Sequence, residues 1–440
     1  MRTQVKSPRN DLRRAVIATT VGTTIEWYDF LLYGQMAALV FPKLFFPLSD
    51  PLTGALAAFA VLAVGFFVRP FGAVIFGHYG DRAGRKAALV ATLLLTGFST
   101  FLIGWVPTYE RIGVWGAILM VVLRCIQGIG LGGEWGGSIL LAMEWARSTR
   151  RGFVTAWPQL GGPVGFFLAN LAILACSRIS GDKFLIWGWR IPFWLSLGLA
   201  GIGLWVRRDI PETPIFRRIV TDNQVARKPV VEVLKHRPRE IVLTALVQTA
   251  QTVASFVYSA FFIVYGTKNL GMSRDFLVGV MLIASCTSLF TIPFSGYLSD
   301  RFDRRKIFMF GAAGTGLFAF GYFALLDTAL PHLVVLATLI AFFFHNMMWG
   351  AVAALTAECF APRVRYSGTS IGYQFATALA GGTAPMIATA LLLWTGASQM
   401  IAIYVFAAAI VSIAAAAALP DNRDFTLNQA GTNETPSWYA

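Results

Sequence analysis

Two carboxylates stand three residues apart in TTIEWYDFLLYG, residues 23–34, inside an otherwise apolar run. Glu26 and Asp29 share one helical face, and Tyr33 continues it. A guanidinium, Arg124, stands in MVVLRCIQGIGLGGEW with apolar residues on both sides. In water such groups would carry little meaning. In lipid each charge is costly and marks a pathway, a proton relay or a ligand counter-ion. A carboxylate beside an arginine keeps its charge, and the same carboxylate without that partner binds a proton. Acids on a first helix and an arginine on a fourth can therefore exchange a proton against a solute, or form a permanent tie between two helices.

The elements that would hold these groups are membrane helices. The chain is 56% hydrophobic and 13% charged, with 36 Phe and 42 Gly in 440 residues, and its mean hydropathy is +0.63. A soluble domain carries about twice that charge. Runs long enough to cross a bilayer are expected at 17–41, 54–77, 87–106, 113–142, 153–176, 187–206, 241–265, 276–298, 307–326, 332–358, 367–393 and 400–419. The fold class is an all-α polytopic membrane protein. The expected organisation is a tail and first six-helix bundle over 1–206, a linker over 207–240, a second bundle over 241–419, and a tail over 420–440.

Of the 36 Lys and Arg, one face holds only Lys43, Arg111, Arg178, Lys183, Arg190, Lys268 and Arg274. Arg69 and Arg124 lie within spans, and all the rest fall on the other face. That bias places both termini in the cytoplasm. The net charge of +14 thus reads as loop topology and lipid contact, and no nucleic-acid partner is implied. The four cysteines are widely spaced, which argues against a disulfide framework or a zinc site. No hydrolase elbow, zincin or phosphate-loop pattern is present, so an enzyme is disfavoured and no cofactor or metal is expected.

The chain also repeats itself. GHYGDRAGRK at 77–86 matches GYLSDRFDRR at 296–305, and Glu144, Arg151 and Gln159 are echoed by Glu358, Arg365 and Gln374. Duplicated halves suit alternating access, with the solute site between them. The repeated motif reads as a cytoplasmic clasp. Gly77 and Gly84 allow tight turns and close approach. Asp81 can cap the next helix, and Arg82, Arg85 and Lys86 can pair with acids such as Glu144. Asp300, Arg301 and Arg304 are the second set, with Glu358 and Arg365 as neighbours. The bland reading is topology signalling alone. Glu134 sits among glycines 128, 132, 133, 136 and 137, whose spacing permits close helix contact. A gating role is expected there ahead of solute binding.

Arginine reads carboxylates through paired hydrogen bonds, so Arg124 is the expected anion site. Expected polar liners are Tyr33, Gln127, Gln159, Gln248, Gln251, Tyr258, His345, Asn346, Tyr373 and Gln374, any of which could instead pack between helices. His345 could titrate or hold a fixed hydrogen bond.

TIEWYDFLLYG, RPFGAVIFGHYGDRAGRK, RCIQGIGLGGEWGG, GWRIPF, PETP and RYSGTSIGYQ together resemble the major facilitator superfamily, and within it the metabolite:proton symporters. The resemblance runs from the first helix to the eleventh. It implies two six-helix halves and proton-coupled import of a small organic acid by a monomer in a bacterial inner membrane. It leaves a zwitterionic osmolyte or an exported compound as alternative cargo. It also implies an acid on helix one and an arginine on helix four as the coupling pair, without choosing between Asp29 and Glu26. One residue departs from the family pattern: Asp303 stands where glycine is usual, as at Gly84.

Overall fold

The computed structural model describes residues 8–47, 51–208 and 210–419. The tail at 420–440 and the first seven residues lie outside them. The described chain is helical throughout. The long helices are α1 (Pro8–Leu39), α2 (Pro51–Ala83), α3 (Arg85–Ile103), α4 (Trp115–Met143), α5 (Ser148–Lys183), α6 (Gly188–Arg208), α7 (Pro238–Lys268), α8 (Arg274–Arg301), α9 (Arg304–Leu326), α10 (Pro331–Ala357), α11 (Arg365–Thr395) and α12 (Gln399–Ala418). Among the described residues, 10 helices are long and apolar enough to cross a membrane, and these are α3 to α12. In α1 the apolar run is broken by Arg13, Arg14, Glu26 and Asp29.

The packing repeats with the sequence. α2 and α3 pack on α4, α3 on α6, and α1 on α5 and α6; six helices later, α8 and α9 pack on α10, α9 on α12, and α7 on α11 and α12. The contacts between the two sets are also reciprocal, with α2 along α11 and α8 along α5. Glycines make this closeness possible. A Cβ on Gly72 would fall 2.0 Å from the Ile129 carbonyl, and one on Gly132 would fall 2.2 Å from the Arg69 carbonyl, so α2 and α4 touch backbone to backbone. α7 and α11 each contain a π-helical turn, at Val257–Phe261 and Thr377–Gly381. Such turns often lie near functional sites.

The chain boundaries shift slightly from expectation. Arg207, read as the start of the linker, belongs to α6 and is buried. Its partner, Glu134, explains why the helix continues. The linker itself carries two short helices, Pro214–Thr221 and Pro229–His236. Its apolar residues Ile210, Ile215, Phe216 and Ile219 are buried, so it packs onto the bundle. Both described ends of the chain lie at one end of the bundle. Ala15 and Ala18 of α1 pack with Leu89 and Ile210, and the carbonyl of Leu419 beyond α12 accepts from Arg305 at 2.9 Å.

Candidate functional site

The repeated motifs meet at that same end. Asp81, at the foot of α2, was expected to cap the next helix. It caps α11 instead, accepting from Tyr366 N at 3.2 Å, Ser367 N at 2.9 Å and Ser367 Oγ at 2.8 Å. Asp300, at the foot of α8, accepts from Gly152 N at 2.8 Å and Phe153 N at 2.7 Å, at the start of the α5 helix proper. Each motif thus caps a helix of the other set. The reason is helix polarity: an N-terminus offers unmet N–H groups and a positive dipole end, and a carboxylate satisfies both. Gly77 admits α11, since a Cβ there would fall 2.8 Å from Ser367 Cα, and Gly296 admits α5 against Gly152 in the same way.

The arginines lock these caps. Arg85 binds Asp81 at 3.3 Å and Glu144 at 3.4 Å, and donates to the Pro362 carbonyl at 2.7 Å. Arg304 binds Asp300 at 3.3 Å and also Glu358, which receives Arg151 at 3.2 Å. Lys86 Nζ donates to the Arg208 carbonyl at 2.7 Å. Arg365 is buried and donates to the Phe360 carbonyl at 3.0 Å. Arg82 and Arg301 are exposed; Arg82 lies 3.5 Å from His78, and Arg301 lies over Tyr297 at 4.8 Å.

A layer of aromatic and amide groups closes the interior above the clasp. Trp135 stacks on Tyr373 with centroids 4.0 Å apart. Gln159 accepts from Trp135 Nε1 at 2.9 Å and donates to the Trp349 carbonyl at 3.1 Å, and Trp349 Nε1 donates to the Gln159 carbonyl at 3.2 Å. Gln374 donates to the Leu131 carbonyl at 3.2 Å. These bonds join the two sets of helices.

The charged groups expected to form one pair divide into two clusters and a bridge. Glu134 makes a buried ion pair with Arg207 and accepts from Thr92 Oγ1 at 2.5 Å and Ser138 Oγ at 3.0 Å. Asp29 accepts from Ser196 Oγ at 2.5 Å and has Thr100 as a second hydroxyl neighbour, while its Oδ2 has no partner. Arg124 donates to Gln127, and Gln127 donates to Thr100 at 2.7 Å. A direct pair between Asp29 and Arg124 was expected and is not formed; Gln127 carries the Arg124 contact on to Thr100, whose hydroxyl donates to the Thr96 carbonyl at 2.8 Å. The Arg124 guanidinium lies over Tyr33 at 4.0 Å and Phe30 at 5.6 Å. Ring faces and an amide hold the cation in place of the carboxylate.

The strongest charged neighbour of Glu26 is Glu134, and Arg69 on α2 is the first of its cationic neighbours. The sequence shows Arg69 only as a charge within a span, and neither spacing nor the helix-one motif links it to Glu26. It lies 4.6 Å over Phe30 and 4.7 Å over Phe66, and Phe66 packs edge-on against Phe256 of α7 at 5.4 Å.

The remaining polar candidates lie among α7 to α10. Gln251 is 3.3 Å from His345, His345 is 3.3 Å from Asn346, and Asn346 donates to Ser288 and Thr291 at 2.8 Å each. His345 is thus engaged at both ring nitrogens. Gln248 is buried with neither amide atom partnered. Tyr258 turns away from α1 to α6, packing on Tyr322 at 4.7 Å and donating to the Thr315 carbonyl at 3.3 Å.

Comparison with known proteins fits this geometry. The profile described as Sugar (and other) transporter matches residues 15–241, and that of the Major Facilitator Superfamily matches residues 244–438. The chain belongs to the major facilitator superfamily. It is 38% identical over 416 residues to the shikimate transporter of Escherichia coli K12, covering 93% of this chain and 95% of that protein. It is 37% identical to an inner membrane metabolite transport protein of the same strain, covering 88% of this chain and 89% of that one. It is 32% identical to that bacterium's proline/betaine transporter, covering 91% and 82% respectively. The fold superimposes on a proton:xylose symporter bound to 6-bromo-6-deoxy-D-glucose with a TM-score of 0.75 at 18% identity, covering 93% of this chain and 95% of that structure. As a member of this superfamily the protein is a membrane transporter.

Proposed function

We propose that this transporter is a proton-coupled symporter that imports a small organic acid by alternating access between two six-helix bundles, α1–α6 and α7–α12. It acts as a monomer in a bacterial inner membrane, with the clasp and both termini in the cytoplasm. The observation that carries this reading is the central charge group. Glu26, Asp29, Arg69 and Arg124 lie deep among the helices, and Glu26 Oε2 and Asp29 Oδ2 have no hydrogen-bond partner. Charges kept at such depth are functional groups. By helical rise, Arg69 lies about 18 Å above Asp81, near the middle of a bilayer about 30 Å thick.

In this reading the clasp closes the cytoplasmic end, and the central charges take cargo from the other side. An anion entering from outside draws on a guanidinium. A carboxylate that loses its share of that positive charge takes a proton. With anion and proton aboard, the centre is close to neutral and the clasp can release. Glu26 and Asp29 both remain fit to carry the proton. Glu134 is committed to Arg207 and serves as a tie between α4 and α6.

Import of an acid is favoured over a betaine-like osmolyte by the aromatic groups. A quaternary ammonium needs free ring faces, and here Phe30, Phe66 and Tyr33 already carry this chain's own arginines. The test is uptake of radiolabelled shikimate into proteoliposomes with and without an inward proton gradient. Gradient-stimulated uptake is expected. Uptake indifferent to the gradient would overturn proton coupling, and uptake of proline or betaine in its place would overturn the organic acid. Asp29→Asn, if Asp29 is the proton site, should keep solute exchange and lose gradient-driven accumulation; unchanged gradient-driven uptake would shift the proton site to Glu26.

A further inference from the structure

The two central arginines share Phe30 but differ in what their edges meet. Arg124 is wholly buried, donates to Gln127 and lies over the Tyr33 face, and its Nε also lacks an acceptor. Arg69 has its faces covered by Phe30 and Phe66, yet among the described residues its guanidinium donates no hydrogen bond, and its Nε is buried without an acceptor. A guanidinium has five N–H donors in its plane. Ring stacking satisfies the faces and leaves that edge empty. Unmet donors of a charged group at this depth are costly, and a planar carboxylate fits the edge with two parallel hydrogen bonds.

Glu26 stands opposite. It is the leading anionic neighbour of Arg69, the two form no direct ion pair, and Glu26 Oε2 has no donor. Tyr373, the upper face of the aromatic floor, is a charge neighbour of both. Arg69 and Glu26 are each only slightly exposed, 4% and 7%. A cation edge lacking an acceptor and a carboxylate oxygen lacking a donor are thus charge neighbours with no direct bond between them. A ligand that fills both needs brings a carboxylate at one end and a hydroxyl at the other.

We propose that Arg69, and not Arg124, holds the carboxylate of the solute, while Glu26 accepts a hydrogen bond from one of its hydroxyls, so that the cargo class is a hydroxylated carboxylic acid. The assignment rests on the organic-acid reading above and deepens it. Arg124 is then a positioning residue, bonded to Gln127 and, through it, to Thr100.

The test compares uptake of tritiated shikimate with that of its tritiated carboxamide, in proteoliposomes of the full chain. The carboxamide keeps the ring and hydroxyls and lacks the anion. Wild type is expected to favour the acid by about tenfold or more in KM, the scale of a lost charge-assisted contact. Arg69→Gln should raise the KM for the acid until that preference disappears. Arg69→Lys, which keeps the charge and loses the planar fork, should retain part of it and guards against simple misfolding. Arg124→Gln should lower the maximal rate for both compounds and keep their ratio. The proposal is overturned if Arg69→Gln still prefers the acid, or if Arg124→Gln is the variant that loses the preference. If wild type transports no member of a panel of hydroxycarboxylates, the organic-acid reading itself fails, and this assignment falls with it.

Discussion

The two clasps are built from one motif but fastened differently. In the first, α3 begins at Gly84, whose φ of 111° places it in a region that favours glycine and which offers no side-chain cap. The cap comes from the linker: Glu212 Oε2 accepts from Lys86 N at 3.2 Å. The next linker residue, Thr213, donates to Glu144 at 2.5 Å, and Phe216 lies under Arg85 at 4.9 Å. In the second clasp, α9 begins at Asp303, which has an ordinary φ of −65° and caps Arg305 N itself at 2.9 Å. Its acid Glu358 takes Arg151 from the other helix set, whereas Glu144 takes the linker's threonine. Both clasps close on the other helix set, but the first is tied to the linker as well, whereas the second takes an arginine of that set into its acid pair. The departure from family pattern at 303 supplies locally what Glu212 supplies from a distance.

Substitutions can break that comparison, and their effects should fall in order. Asp81→Ala has the largest. It leaves three donors at the start of α11 and the Arg85 guanidinium without their acceptor, and hydrogen bonds to charged groups contribute about 1.5–3 kcal/mol each. Transport should fall more than tenfold, and spin labels on the clasp-end loops should report longer distances; unchanged distances would refute the cross-capping account. Gly84→Ala comes next. The new Cβ would fall 2.2 Å from Glu212 Oε2, in a backbone region that costs other residues about 1–3 kcal/mol. Thermal unfolding should show a lowered midpoint. Glu212→Ala removes one cap, about 1 kcal/mol, and should loosen the first clasp alone. Asp303→Gly should be the mildest, a few tenths of a kcal/mol. Equal effects of Glu212→Ala and Asp303→Gly on the first clasp's label distances would erase the distinction.

Much of this architecture is legible in the sequence, because lipid allows few solutions. A backbone in hydrocarbon must satisfy itself, so apolar runs of sufficient length become helices. The repeated GHYGDRAGRK and GYLSDRFDRR announce paired structures, and Asp81, Arg85, Glu144, Asp300, Arg304 and Glu358 do converge at one end. What the motif does not disclose is direction. Asp81 reaches α11, nearly three hundred positions away in the chain, because a cap depends on which helix start lies opposite and not on the next one in sequence. The central group is less legible for a related reason. Arg124 and the helix-one acids have the right types for a pair, but hydroxyls from Thr100 and Ser196 and the faces of Tyr33 and Phe30 compete for them. Arg69 and Arg207 were hidden by position: one reads only as a charge within a span, the other as the first charge of a loop. Burial gives both their meaning.

The most direct test of proton-coupled symport is whether solute and proton move together. Proteoliposomes carrying an internal pH dye, with no imposed gradient and with the membrane potential clamped, would receive external shikimate. Acidification of the lumen that follows shikimate entry, and disappears with Glu26→Gln or Asp29→Asn, is the predicted result. Shikimate entry with no change in lumenal pH would contradict it.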